Sequence, residues 1–146
     1  MGKKNLGQDL PILLNSLTSV VTTSDAGAGV GYTGIRIRGI NAQSTNITIN
    51  GIPYNDAESL GTYWVDLPDF ASSVENLQVQ RGVGTSTNGS SAFGASINIL
   101  TDLISKNSYF ENSNSVGSYN TIKNTFKFST GILNDYFEFS GRLSKI

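Results

Sequence analysis

The sequence predicts an α+β fold: a small mixed β-sheet with short helices, followed by amphipathic antiparallel strands of the kind that begin a transmembrane β-barrel. Three observations carry this prediction. Leu10, Leu13, Leu14 and Leu17 fall on one helical face. The middle of the chain holds short alternating segments around an Asn-Gly turn. From Ser108 onward, apolar and polar side chains alternate over stretches of about ten residues, the length of a membrane-spanning strand.

Composition narrows the function before any motif is read. The chain has 146 residues, a formal net charge of −1 and 14% charged residues. That length allows one domain with a modest core. The low charge argues against a long charged helix or coiled coil, and the missing basic excess argues against nucleic acid as a partner. With no Cys and no His, the usual zinc sites, disulfide frameworks, thiol chemistry and His-based triads are excluded. Apolar runs fall well short of the roughly 20 residues of a membrane helix. Met1-Gly2-Lys3-Lys4 leads into polar residues rather than a signal-peptide core. The chain is therefore expected to be cytosolic or, in better accord with its later strands, cut from a longer precursor.

The elements follow in order. Asp9 is a candidate N-cap for the leucine helix, with Pro11 in the first turn, where its missing donor costs little. Thr22 to Gly34 reads as a flexible, glycine-rich stretch. Ile35-Arg36-Ile37-Arg38 and Ile47-Thr48-Ile49 alternate as strands, and Asn50-Gly51 between Ile49 and Ile52 predicts a hairpin. A polar loop between Tyr54 and Leu67 carries an aromatic tip, Tyr63-Trp64, and Asp66-Leu67-Pro68-Asp69 reads as a capped helical turn. Val74 to Arg81 alternates as a strand, Gly82 to Gly94 reads as a loop, and Ser96 to Thr101 as another strand. Beyond that, Ile122, Phe126 and Phe128 share one face with Asn124 as the exception. Phe137, Phe139 and Leu143 share another, and Asn134-Asp135 is the turn between. Two or three such strands cannot close a barrel. In isolation they are expected to be disordered or to pair between molecules through open edges.

Several motifs have simpler roles beside a chemical one. Gly29-Val30-Gly31-Tyr32-Thr33-Gly34 matches G-x-G-x-x-G, with Asp56 downstream. Dinucleotide binding needs a helix N-terminus after the glycines, and a strand pattern follows here instead. Asp56, Glu58, Asp66 and Asp69 form the local acidic cluster. Its spacing is not that of an EF-hand, and loop or capping roles suit it better than acid–base or calcium chemistry. Asn46-Ile47-Thr48 and Asn88-Gly89-Ser90 are sequons with nothing to indicate a glycosylating route. Arg38 and Arg81 each precede Gly at the end of an alternating strand, among three arginines in the first 106 residues. Each is either a solvated edge charge or a guanidinium that pairs with carboxylates outside this chain.

Read together, Asp9-Leu10-Pro11, Ile35-Arg36-Ile37-Arg38-Gly39 and Ile49-Asn50-Gly51-Ile52-Pro53-Tyr54-Asn55-Asp56 resemble the plug domain of TonB-dependent outer-membrane receptors. So does the run Val74 to Gly82, closed by Asn88 to Thr101. The resemblance covers roughly residues 6 to 103, with several motifs in the family's order. It implies a globular plug over residues 1–106, and the first strands of the outer-membrane barrel, incomplete, over 107–146. The plug would lodge in a barrel of about 22 strands in the outer membrane of a Gram-negative bacterium, facing the periplasm.

The resemblance also implies partners and sites. The receptor would bind a scarce extracellular nutrient, and TonB would pull on the plug from the periplasm. Arg38 and Arg81 would be the plug–barrel latch, paired with glutamates of the chain's own barrel wall. Asn41, Gln43 and Ser44 in one loop, with Glu58, Tyr63 and Trp64 in another, would be the ligand-binding residues. For Tyr63 and Trp64 the other role is packing against the barrel wall. Three departures from the family pattern stand out. No TonB box is present, Val83 replaces a common Pro, and Thr87-Asn88-Gly89 replaces Leu-Tyr-Gly. Nothing resembles the starch-utilisation type, which favours an iron chelate such as a siderophore or haem, or cobalamin, over a glycan. No catalytic residue, metal site or cofactor is expected. The alternatives are an autonomous extracellular or periplasmic β-rich binding module, which would need a self-contained core, and a small hydrolase built on the acidic cluster, disfavoured by the missing His and Cys.

Overall fold

The computed structural model describes residues 5–83, 93–118 and 120–146 and divides into two compact units, Met1–Asp102 and Leu103–Ile146. In the first unit, α1 (Leu10–Leu13) runs into a 3-10 turn at Leu14–Ser16. Leu10 and Leu14 are fully buried, whereas Leu17 is exposed. The predicted stripe is therefore a core anchor whose last turn tightens and stops early. Asp9 occupies the N-cap position with extended backbone, but its side chain makes no cap hydrogen bond. Instead Thr33 Oγ1 donates to its carboxylate at 2.8 Å, and its own N–H donates to the Gly29 carbonyl at 2.8 Å. The capping expectation is corrected on this point: Asp9 ties the N-terminal segment to the glycine-rich stretch. Burial pushes its carboxyl above the ordinary carboxylate value, while Thr33 and the Gly31 backbone pull it back.

That stretch is more ordered than its glycines suggest. Val20–Ser24 forms β1, which pairs antiparallel with β2 (Thr33–Ile37) from Val20↔Ile37 to Ser24↔Thr33. Four consecutive β-branched residues, Val20 to Thr23, explain the strand. The next strands are β3 (Thr45–Ile49) and β4 (Ile52–Pro53), joined by Asn50 and Gly51 at φ 53° and 81°. Two central residues with positive φ are what the predicted tight hairpin demands.

β5 (Val74–Arg81) and β6 (Ala95–Thr101) complete a four-stranded sheet in the order β4-β3-β6-β5. β3 and β6 are parallel; the other pairs are antiparallel. The sheet is thus mixed, as predicted. Most of the expected 82–94 loop, residues 84–92, lies outside the described residues. One side of the sheet supplies Ile47, Ile97 and Ile99 to a core shared with Leu10, Leu14, Ile35, Ile37, Trp64 and Ala71. The other side is polar. Thr48, Asn98 and Gln78 lie in one row, and Thr48 Oγ1 donates to Asn98 Oδ1 at 2.8 Å.

The turn expected over Asp66–Asp69 is corrected to two 3-10 turns flanking it, Trp64–Asp66 and Phe70–Ser73. Asp69, at φ 50°, is buried, and its carboxylate accepts from Asn5 Nδ2 at 3.3 Å and Ser72 Oγ at 2.7 Å.

In the second unit, β7 (Tyr109–Val116), β8 (Ile122–Leu133) and β9 (Phe137–Lys145) form an antiparallel sheet in that order. Asn134 and Asp135, both at positive φ, make the turn expected between β8 and β9. The disordered alternative for these strands gives way to a continuous sheet. Phe110, Phe126, Phe128 and Phe139 form an aromatic row on one side, with ring centroids 4.6, 6.5 and 6.0 Å apart along it. That side faces solvent: Phe110 is 64% and Leu143 77% exposed. On the other side Ser129 is only 4% exposed and donates to the Glu138 carboxylate, whose second oxygen accepts from the Ser105 N–H at 2.9 Å. Apolar residues on the exposed side of the sheet and polar residues on the buried side invert the soluble pattern and match a barrel wall. Among the described residues no helix is long and apolar enough to cross a membrane.

Candidate functional site

Sheet register gathers the candidate residues at one end of the mixed sheet. β3 and β6 run parallel from the Thr45↔Ala95 rung, and β5 arrives there at Arg81, opposite Ala95. The loop before β3 therefore finishes at this end. The Asn50-Gly51 turn lies at the opposite end and returns the chain through β4. Tyr54 N–H then donates to the Ile47 carbonyl at 2.8 Å, and Asn55 continues the edge with its side chain. Asn55 Oδ1 accepts from Ile47 N–H at 2.7 Å, while its Nδ2 donates to the Thr45 and Leu60 carbonyls, each at 2.9 Å. One side-chain amide thus stitches the 55–64 loop beside the 38–44 loop. No local sequence signal marked Asn55 for this role.

The first loop leaves β2 through Arg38 and Gly39, both at positive φ. A left-handed conformation costs a non-glycine residue roughly 1–2 kcal/mol, so the arginine is placed there against its backbone preference. Asn41 precedes a 3-10 turn, Ala42–Ser44, that leads into β3. Asn41 and Gln43 are exposed, and Ser44 is half-buried. A groove of about 370 Å³ runs between this turn and the β1–β2 ribbon, lined by Thr23, Arg36, Asn41 and Gln43 among others. Arg36 brings a cation to the groove. The alternating strand pattern alone does not single it out.

Within the second loop a hydrogen-bond chain fixes the backbone. Asp56 accepts from Ser59 N–H at 2.6 Å, Ser59 Oγ at 2.8 Å and Glu58 N–H at 3.2 Å. These bonds, Ser59's first, hold its carboxyl below the ordinary value. Tyr63 OH donates to Ser59 Oγ at 3.3 Å, so the tyrosine is tethered through Ser59 to Asp56. Glu58 is exposed. The structure separates the aromatic pair: Tyr63 is 50% exposed, whereas Trp64 is 3% exposed and belongs to the core. Trp64 supports the loop from beneath. Of the acidic cluster, Asp56 organises its own turn and Asp69 joins Asn5 and Ser72.

The two latch candidates meet at the same end. Arg38 N–H donates to the Ser19 carbonyl at 2.8 Å. Arg81 Nη1 donates to the carbonyl of neighbouring Thr18 at 3.0 Å and to its hydroxyl. Arg38 Nη1 lies 3.3 Å from where a Cβ on Gly82 would stand. Both arginines are exposed, and among the described residues neither is ion-paired to a carboxylate of this chain.

Comparison with known proteins bears on this arrangement. Residues 2–96 match the TonB-dependent Receptor Plug Domain family. Among curated proteins no significant match is found. The fold is similar to that of the ferric yersiniabactin uptake receptor FyuA from Yersinia pestis, with TM-score 0.66, 20% identity, and 90% of this chain and 20% of that one covered. It is similar to the alcaligin outer-membrane receptor FauA from Bordetella pertussis, with TM-score 0.68, 16% identity, and 93% and 23% covered. The FrpB iron transporter from Neisseria meningitidis gives TM-score 0.65, 19% identity, and 95% and 21% covered. The chain therefore spans about a fifth of these solved structures. The family match over most of the chain, the mixed sheet with its Arg81-Gly82 end and the exposed apolar side of β7–β9 agree with one another: this chain belongs to the TonB-dependent receptor plug domain family.

Proposed function

We propose that the chain is the plug, with the first barrel strands, of a receptor that imports a scarce nutrient across the outer membrane. The observation that carries this reading is the convergence of two prospective ligand loops and two prospective latch arginines on one end of the mixed sheet. The nutrient is an iron chelate, such as a siderophore or haem, or cobalamin, rather than a glycan. The structurally similar receptors for ferric yersiniabactin and alcaligin, and the similar iron transporter, favour the iron chelate. Asn41, Gln43, Ser44, Glu58 and Tyr63 face the ligand, and Trp64 props the second loop. Arg36 gives the groove beside Asn41 and Gln43 an attraction for anionic oxygen-rich chelates.

Gating follows from the arginines. In the assembled receptor Arg38 and Arg81 pair with barrel-wall glutamates. Breaking one partner from such a buried pair costs about 3–5 kcal/mol, enough to latch the plug yet reversible when TonB pulls from the periplasm. The work is recognition and gating rather than catalysis. An autonomous binding module is disfavoured by the uncovered aromatic row of β7–β9, which such a module would have to bury. The test is Arg81→Ala in the full-length receptor, read as leakage of large antibiotics and as uptake of ferric hydroxamate, ferric catecholate, haem and cobalamin. Leakage should rise. Unchanged leakage together with unchanged uptake would remove the latch assignment.

A further inference from the structure

Gly94 lies where the ligand loop, the arginine corner and the start of β6 meet. It is buried, and its backbone is outside the left-handed region, so space rather than φ is what requires glycine there. A Cβ on Gly94 would stand 2.6 Å from Ile40 Cγ2 and 2.7 Å from the Ser44 carbonyl oxygen. The Ile40 contact involves a side chain that can shift, but the Ser44 oxygen is backbone. Two hydrogen bonds run through the same residue. Gly94 N–H donates to the Ser44 carbonyl at 2.9 Å, and the Gly94 carbonyl accepts from Gly82 N–H at 2.9 Å. Gly82 in turn follows Arg81 and lies against the Arg38 guanidinium.

We propose that Gly94 is the positioning residue of the ligand loop. It seats Ile40 and Ser44 against the start of β6, and so determines where Asn41 and Gln43 stand along the Arg36 groove. Through Gly82 the same seat ties the loop to both arginines. The proposal rests on the ligand role given above to residues 41–44. A methyl group at Gly94 lengthens or breaks the Ser44 hydrogen bond and pushes the loop away from the sheet, while leaving every ligand-facing side chain in the sequence.

Two measurements test it. Hydrogen exchange on the full-length receptor compares Gly94→Ala with the unsubstituted protein, using β7–β9 as the internal reference. Amides from Asn41 to Thr45 should exchange at least about tenfold faster, with β7–β9 unchanged. Uptake by the full-length receptor, with ferric hydroxamate, ferric catecholate, haem and cobalamin as probes, should show an apparent KM raised about tenfold for the accepted probe, equivalent to about 1.4 kcal/mol. The maximal rate and the receptor's amount in the outer membrane should hold. If Gly94→Ala prevents folding, Ile40→Ala/Gly94→Ala carries the same test, since it removes the 2.6 Å Cγ2 contact and leaves the Ser44 carbonyl as the main obstruction, with the residue-40 Cβ at 3.2 Å. Unchanged loop exchange in a folded variant overturns the seat. Faster exchange with unchanged KM overturns the ligand role of the loop and reduces Gly94 to a structural residue.

Discussion

Tyr63 and Trp64 are neighbours in sequence with opposite surroundings, one half in solvent and one in the core. Trp64→Ala should destabilise the first unit by about 3–5 kcal/mol, the usual result of emptying a large aromatic site. Tyr63→Ala should change stability by only about 0.5 kcal/mol and act on ligand affinity in the full receptor. Urea unfolding of the two variants checks this, and equal losses would contradict the division. Asp9 gives a pH-dependent prediction. Its folded-state value is raised above 3.8 by burial, so its contribution to stability is fully present below the unfolded value and is lost as pH rises through the folded one. Asp9→Asn removes the charge and keeps a hydrogen-bond acceptor for Thr33. The advantage in Tm of the Asn variant over the native chain should therefore shrink as pH falls from about 7 to about 3. A constant difference across that range would contradict the buried-carboxylate account. Neither the fate of Asp9 nor the difference between Tyr63 and Trp64 was legible in the sequence. Both depend on distant partners, Gly29 and Thr33 for Asp9, or on which side of a 3-10 turn faces the core.

Among the elements, those made by local chemistry were legible and those made by distant pairing were not. The hairpin could be read because Asn50 and Gly51 both tolerate positive φ. Gly51→Ala should cost about 1–2 kcal/mol, measured as a lowered urea midpoint of the first unit; an unchanged midpoint would mean that the turn does not hold the β3–β4 register. The alternation of β2, β3, β5 and β6 was equally plain, as was the apolar side of β8 and β9. β1 is hard to read from sequence because glycine-rich residues follow it directly, although Val20 to Thr23 have clear strand character. The leucine stripe indicated a longer helix than forms. After Leu13 the chain tightens and turns toward β1, leaving Leu17 outside the core. The parallel pairing of β3 with β6 could not be read at all, since it joins residues about 50 apart. That pairing is what gathers the two loops, Arg38, Arg81 and Gly94 at one end. Hence the loops and arginines were identified through resemblance to a family, whereas Arg36, Asn55 and Gly94 emerged only from the assembled sheet.

At the scale of the whole molecule, the two units have opposite surface logic. The first buries a core of leucine, isoleucine and tryptophan, as a soluble domain does. The second exposes phenylalanines along one side and keeps Ser129 and Lys123 buried. Joined in one chain, they describe a plug that continues into a membrane wall. Composition had already excluded zinc, thiol and His-based chemistry, and the strand period carried the membrane reading independently of the family likeness. The most direct test is fractionation of the source cells, probed with an antibody raised against residues 1–103. The account predicts a membrane-embedded band in the outer-membrane fraction, several times larger than 15.6 kDa. A soluble band near 15.6 kDa would contradict it and leave a free-standing binding module in its place.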